Sequence, residues 1–93
     1  MSSAWHLYVL KCADGTLYAG VTTDLERRVA EHNGGPRGAR YTRVRRPVAL
    51  LHAWDMPDRS AATRAEAAFK RLNRKMKLAV INGAHPFPTG ETP

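Results

Sequence analysis

The sequence predicts an α+β fold, a small three-stranded antiparallel sheet flanked by helices in the order β-β-α-β-α-α. Three observations predict it. Two runs rich in aromatic and β-branched residues, 5–11 (WHLYVLK) and 16–22 (TLYAGVT), lie on either side of an Ala-Asp-Gly turn signal. A third apolar run, VALLHAW after Pro47, stands alone. Between and after these runs lie two stretches whose apolar residues recur at helical spacing. At 93 residues, 43% apolar and 25% charged, the chain suits one folded domain, expected over residues 1–82, with 83–93 as a frayed tail.

The first two runs form a hairpin that can close in two ways. A two-residue Asp14-Gly15 loop sets Ala13 opposite Thr16 and turns Tyr8 and Tyr18 to opposite faces. A three-residue Ala13-Asp14-Gly15 loop sets Cys12 opposite Thr16, so that Tyr8 faces Gly20, Tyr18 faces Leu10 and both phenols share one side. Pattern alone leaves both open. The second puts glycine where positive φ is required and is preferred on that ground.

Thr23-Asp24-Leu25-Glu26 then reads as a capping box opening a helix. Leu25 and Val29 mark its apolar stripe, Arg28 and His32 lie one turn apart along the edge, and Arg27 and Glu31 form an outward i,i+4 pair. Asn33-Gly34-Gly35-Pro36 ends the helix, and a basic loop leads to the third strand, whose near-continuous apolar content suggests burial on both faces. After a Met56-Pro57-Asp58 turn, Ser60 is the expected cap of a second helix, SAATRAEAAFKRLN. Its apolar face is Ala61, Ala65, Ala68, Phe69 and Leu72, with Glu66 at the margin. A shorter helical stretch, 74–81, precedes Asn82-Gly83. The last residues, GAHPFPTGETP, carry three prolines and no periodicity.

Fifteen Lys and Arg against eight Asp and Glu give a net charge of +7, which favours polyanions, nucleic acid before an acidic membrane. Twelve of the fifteen lie in two tracts. Residues 37–46 hold five arginines and no acid: Arg37, Arg40, Arg43, Arg45 and Arg46. Residues 59–77 hold seven basic groups, Lys70 and Arg74 among them, against Glu66 alone. Such runs are commonly just solvated surface, but arginine in an acid-free Gly/Thr/Tyr loop suits bidentate phosphate contacts. No apolar run approaches the ~20 residues that span a bilayer. The opening lacks a basic stretch before its apolar run and a small-residue cleavage site, so no signal peptide is expected. A single cysteine, Cys12, rules out an internal disulfide and multi-cysteine zinc motifs, and the expected location is the cytoplasm. The scattered His6, His32, His52 and His85 lack zinc-ligand spacing, and no Walker loop or Rossmann glycine fingerprint is present.

Taken singly, the chemical candidates have ordinary explanations. Strand tyrosines pack, a helix arginine is solvated, and a histidine near a helix end offsets the dipole. Glu66 is more informative as the sole acid in its tract. It neutralises its neighbours or holds a divalent cation, since Mg²⁺ binds through one or two carboxylates with phosphate and water.

In combination, His6-Leu7-Tyr8, Tyr18-Ala19-Gly20 on the next strand, a helix with Arg28 and His32, and a later helical glutamate resemble the GIY-YIG nuclease superfamily. The segments LYAGVTTDLERRVAEHN and GARYTRVRRPVAL are similar to its small single-domain bacterial branch, itself described as similar to the nuclease domain of the excision-repair endonuclease subunit. The resemblance covers about residues 5–78. It implies that Tyr8 helps to activate the attacking water, that Tyr18 orders water and phosphate, and that Arg28 contacts the scissile phosphate. It implies that His32 occupies a further helix position, that Glu66 binds a single divalent cation, Mg²⁺ or Mn²⁺, and that Gly20 closes the second triplet. Tyr41, in Tyr41-Thr42-Arg43, falls where members place another polar or basic group. The first triplet here retains only its tyrosine, and the family's asparagine after the metal glutamate is matched poorly, Asn73 being early and Asn82 late.

The expected function is metal-dependent hydrolysis of phosphodiesters. Tyr8, lowered in pKa by nearby arginines, takes the water's proton, and Arg28 neutralises the phosphoryl oxygens with His32 in support. Arg37, Arg40, Tyr41, Arg43, Arg45, Arg46, Lys70 and Arg74 are the expected nucleic-acid contacts, with DNA placed ahead of RNA and no membrane partner. A basic DNA- or RNA-binding module without turnover ranks second, and a component of a larger nucleoprotein assembly third.

Overall fold

A computed structural model of the chain describes residues 4–84. Its sheet is antiparallel, in the order β2-β1-β3, with β1 (Trp5–Lys11) between β2 (Leu17–Thr22) and β3 (Ala49–Met56). The hairpin closes through three residues. Cys12 N–H donates to the Thr16 carbonyl at 2.8 Å, Gly15 N–H to the Cys12 carbonyl at 2.9 Å, and Gly15 has φ +86°. Tyr8 therefore stands opposite Gly20 and Leu10 opposite Tyr18, and both phenols share a face.

Burial on two faces belongs to β1, not to the third strand as its composition suggests. Leu7, Tyr8, Val9 and Leu10 are all buried, whereas Leu50 is 43% and Leu51 37% exposed on the sheet edge. Only β1 has a strand on each side and helices above and below, a circumstance that local composition does not report. A bulge adds to the misleading pattern. The ladder steps from Val9–His52 to Leu10–Leu50, so Leu51 is the extra residue that interrupts apolar–polar alternation.

One face carries Tyr8, Leu10, Cys12 and Val48, against which Leu25 and Val29 of α1 (Leu25–Asn33) pack. The other carries Leu7, Val9 and Ala19. These pack with Ala65 and Phe69 of α3 (Arg59–Lys70) and Val80 of α4 (Arg74–Ile81). Inside the basic loop the chain forms an additional short helix, α2 (Arg40–Arg43).

Two caps differ from expectation. Asp24, not Thr23, caps α1, accepting from Arg27 N–H at 3.1 Å, because Thr22 Oγ1 receives Asp24 N–H at 3.1 Å and holds the turn one residue later. Glu26 then lies in the first turn, one position too early to close a capping box. Asp58, not Ser60, caps α3, accepting from Ala61 N–H at 2.8 Å, while the Ser60 hydroxyl receives Arg64 at 2.7 Å. The helix also stops at Lys70 instead of continuing to Asn73, whose side chain accepts from Met76 N–H at 2.9 Å and caps α4. The tail expected from residue 83 lies outside the described residues beyond Ala84. Among the described residues no helix is long and apolar enough to cross a membrane.

Gly20 is the tightest point of the sheet. A Cβ there strikes the Tyr8 phenol, standing 2.7 Å from its Cζ as well as against its hydroxyl. Gly20→Ala is expected to lower the free energy of urea unfolding by ~1–3 kcal/mol, the ordinary cost of overpacking. An unchanged midpoint shows that the phenol is free to move aside.

Candidate active site

Glycine opposite Tyr8 lets that phenol lie flat across β2 towards α1, where Tyr8 Oη is 2.8 Å from His32 Nε2. His32 is completely buried, and its Nδ1 lies 3.0 Å from Thr42 Oγ1. The Thr42 hydroxyl lies within donating reach of both Nδ1 and the Ala39 carbonyl, the latter at 2.9 Å. Ala39 N–H donates to the same Nδ1 at 3.3 Å, so Nδ1 is an acceptor and, in this tautomer assigned from the hydrogen-bond network, Nε2–H donates to Tyr8 Oη. Gly38 makes the approach of this loop possible, since a Cβ there stands 2.6 Å from the Glu31 carbonyl and 3.0 Å from His32 Cα.

Tyr18 meets the His32 ring edge-on at 5.2 Å between centroids, and Tyr41 stacks on Tyr18 at 5.8 Å with 26° between planes. Arg28 Nη1 donates to Glu31 Oε1 at 2.9 Å and to the Arg37 carbonyl at 2.8 Å, which aims the guanidinium across the mouth of the site. Glu31 thus serves Arg28 more closely than Arg27, which lies 3.8 Å away. Glu66, half-buried on α3, carries the Lys70 ammonium at 3.0 Å.

The electrostatics tie these groups together. Burial pushes the Tyr8 phenol up to about 12, Arg28 works against that shift, and the charges of Tyr18 and Glu66 add to it. Tyr18, Arg28 and Glu66 therefore each act on Tyr8. The direction for Tyr8 is the reverse of that expected, because desolvation outweighs the arginine. His32 is driven down to about 4, chiefly by burial and then by Arg28 and Arg46, so it is neutral at pH 7 rather than a cation facing phosphate. Burial opposes the charge on Arg28, but Glu31 and Tyr8 more than compensate and hold its pKa above the ordinary value.

The basic residues divide into two groups. Arg46 donates to the carbonyls of His32 at 2.6 Å and Gly35 at 2.9 Å, closing the C-terminus of α1. Arg45 donates to Asp14 Oδ2 at 3.1 Å and to the Tyr41 carbonyl at 2.9 Å. Arg37, Arg40, Arg43 and Arg74 have exposed side chains. Tyr41 is 38% exposed and, with Tyr18, Phe69, Lys70 and Lys77, lines a cleft of about 260 Å³ at the open edge of β2. Sequence reasoning missed Thr42, Glu31 and Gly38 as site residues. The available signals were Glu31 at i+3 from Arg28 and a threonine between two arginines.

A model of the GIY-YIG catalytic domain matches residues 4–79. The chain belongs to the GIY-YIG family. This family comprises nucleases, and its membership suggests nucleic-acid binding. Similar relatives are a UPF0213 protein of Xanthomonas axonopodis, 56% identical over 75 residues that cover 81% of this chain and 72% of the relative. A UPF0213 protein of Desulfotalea psychrophila is 47% identical over 81 residues, covering 87% of this chain and 74% of that one. The solution NMR structure of an E. faecalis protein superposes with a TM-score of 0.63 at 46% identity, covering 90% of this chain and 88% of that one. These UPF0213 proteins are a small single-domain GIY-YIG group.

GIY-YIG nucleases typically use a divalent metal. Among the described residues no three His, Cys, Asp or Glu side chains gather as a closed metal site. The single carboxylate of Glu66 offers hard oxygen donors that fit Mg²⁺ or Mn²⁺ completed by water and substrate phosphate and do not fit zinc. Asn73 and Asn82 sit at the two ends of α4, Asn73 with its side-chain oxygen used as a cap.

Neutral burial of His32 has a consequence for stability. Its folded pKa lies below the unfolded 6.5, so between about 4 and 6.5 the unfolded chain binds the extra proton. The stabilisation is complete above pH 6.5 and lost as pH falls towards 4. The urea-unfolding free energy of the wild type is expected to drop by roughly 3 kcal/mol more than that of His32→Gln between pH 7 and pH 4. Parallel pH profiles for the two proteins contradict a buried neutral ring.

Proposed function

We propose that the protein is a metal-dependent nuclease that hydrolyses phosphodiester bonds in nucleic acid, DNA ahead of RNA. The observation that carries this reading is the convergence on the Tyr8 phenol of His32 by hydrogen bond and of Arg28, Tyr18 and Glu66 by charge, in a GIY-YIG domain.

With a pKa pushed up to about 12, Tyr8 keeps its proton at neutral pH and is a poor base by itself. His32 Nε2–H donates to its oxygen, and Arg28 lies beside it. Once the phenol has released its proton to solvent, the phenolate, held by these two donors, takes a proton from the attacking water and returns to its resting form. Burial, Arg28 and Arg46 keep His32 neutral, so it supports the phenolate by hydrogen bond and takes no proton itself. Arg28, kept charged and aimed by Glu31, stabilises the negative phosphoryl oxygens. Tyr18, between His32 and the cleft, orders the water and the phosphate. Glu66 would hold a divalent cation, which would supply relief of charge on the leaving oxygen. Exposed Arg37, Arg40, Arg43 and Arg74 supply the wider positive surface.

A binding module without turnover is the second reading. It is favoured by the burial of Tyr8, which is 1% exposed, and by the Lys70 ammonium resting on Glu66. Labelled single-stranded, duplex and branched substrates with Mg²⁺, Mn²⁺ or EDTA separate the two. Glu66→Gln is expected to abolish metal-dependent cleavage while thermal unfolding stays near wild type. Arg28→Ala is expected to slow cleavage by ~10²–10³, as for loss of an oxyanion donor. Salt-sensitive binding without cleavage on every substrate establishes the binding module instead.

A further inference from the structure

The hairpin turn and the short helix α2 are far apart in sequence yet joined by a chain of contacts that ends inside the site. Asp14, in the turn, accepts the Thr16 hydroxyl at 2.6 Å and Thr16 N–H at 3.1 Å on Oδ1, and Arg45 Nε at 3.1 Å on Oδ2. The Arg45 carbonyl receives Ala13 N–H at 2.9 Å, so backbone and side chain both fasten Arg45 to the turn. Its Nη1 donates to the Tyr41 carbonyl at 2.9 Å, and its guanidinium carbon lies 3.9 Å from the centroid of the Tyr41 ring. That ring stacks on Tyr18, which in turn meets His32.

We propose that Asp14 and Arg45 are positioning residues that hold the Tyr18 phenol through the Tyr41 ring, and that Arg45 is not a phosphate contact. The proposal deepens the nuclease reading and rests on it for the role of Tyr18.

Two physical points carry it. Tyr18 is half-buried on the edge strand β2 beside an open cleft, so β1 and His32 confine its ring on one side only. A half-buried ring of this kind keeps rotamer freedom unless something stacks on it, and Tyr41, pinned by a planar cation, supplies the stack. Arg45 also has little left for a ligand. A phosphate is gripped bidentately by two adjacent nitrogens, and each bidentate edge of this guanidinium contains a nitrogen already engaged, Nε by Asp14 or Nη1 by Tyr41. An arginine of the tract expected to contact phosphate is thus built into the wall behind the Tyr18 ring.

The two roles for Arg45 predict opposite effects of its partner. If Arg45 holds Tyr18, Asp14→Asn loosens the clamp and slows turnover. If Arg45 grips phosphate, Asp14→Asn removes a competing carboxylate and tightens binding.

The test uses the full chain as wild type, D14N, R45A, R45K and the D14N/R45A pair. It compares kcat, KM, oligonucleotide affinity across a salt series, and aromatic ¹³C resonances of Tyr18. Expected are kcat values lowered about tenfold in D14N and R45A, as for a slightly misplaced group. The pair should be no worse than R45A alone, because the two residues act as one unit. Affinity and its salt slope should be unchanged, the Tyr18 resonances should shift, and R45K, which keeps the charge but loses the planar fork, should resemble R45A. The proposal is overturned if R45A weakens binding and flattens the salt slope by about 0.7–0.9 with kcat intact. Tighter binding by D14N, or full activity of R45K, overturns it as well. If the wild type shows no turnover, the nuclease reading falls, and the resonances alone decide the clamp: Tyr18 signals that move in D14N support it, and signals that stay refute it.

Discussion

The buried hydrogen bond between Tyr8 and His32 is the constraint to which most of this small structure answers. It joins the central strand to α1 across 2.8 Å between two almost fully buried rings, where an unpaired phenol or imidazole is costly. Each end makes its own demand. For the phenol to reach α1, the facing residue on β2 must lack a side chain, and Gly20 does. For the imidazole to be satisfied on its far nitrogen, the chain after α1 must fold back and deliver Thr42, and Gly38 permits that approach. A basic loop that reads as solvent-exposed from its composition is therefore anchored through its one buried polar residue.

The same bond sets the electrostatic tone of the site. Burial raises the phenol and lowers the imidazole, so both groups are held neutral and the proton between them is shared by geometry, not by charge separation. Arg28 is the principal charge near both, favouring tyrosinate and disfavouring imidazolium, with Glu31 as its counterweight. A cation that leans towards a negative phenol without stabilising a positive histidine is arranged for transient proton movement and against a standing ion pair.

Much of this was legible in the chain. Ala13-Asp14-Gly15 announced a turn, the demand of Gly15 for positive φ chose its length, and that length placed two tyrosines on one face. Helical spacing located Arg28, His32 and Glu66 because a helix repeats locally and its neighbours matter little to the pattern. The edge position of β3 was not legible, since an apolar run reports avoidance of water and not which strands lie beside it. A one-residue bulge at Leu51 further disguised the alternation. The direction of the Tyr8 shift was misread for a related reason. Nearby arginines are visible in sequence, whereas the depth of burial that outweighs them is a property of packed layers.

The arginine tract shows where composition stops being informative. Five arginines within ten residues contribute equally to net charge, and the long-range attraction of a polyanion depends only on that sum. Contact depends instead on which guanidinium still has donors facing outward. Arg46 has given its donors to the carbonyls that α1 leaves open at its end, a common need of any helix that stops beside a loop. Arg45 has given its donors to a turn and a tyrosine. Both keep their charge while losing their reach. Steering and gripping are thus carried by different members of one tract, and the members nearest the site serve the shape of the pocket more than its ligand.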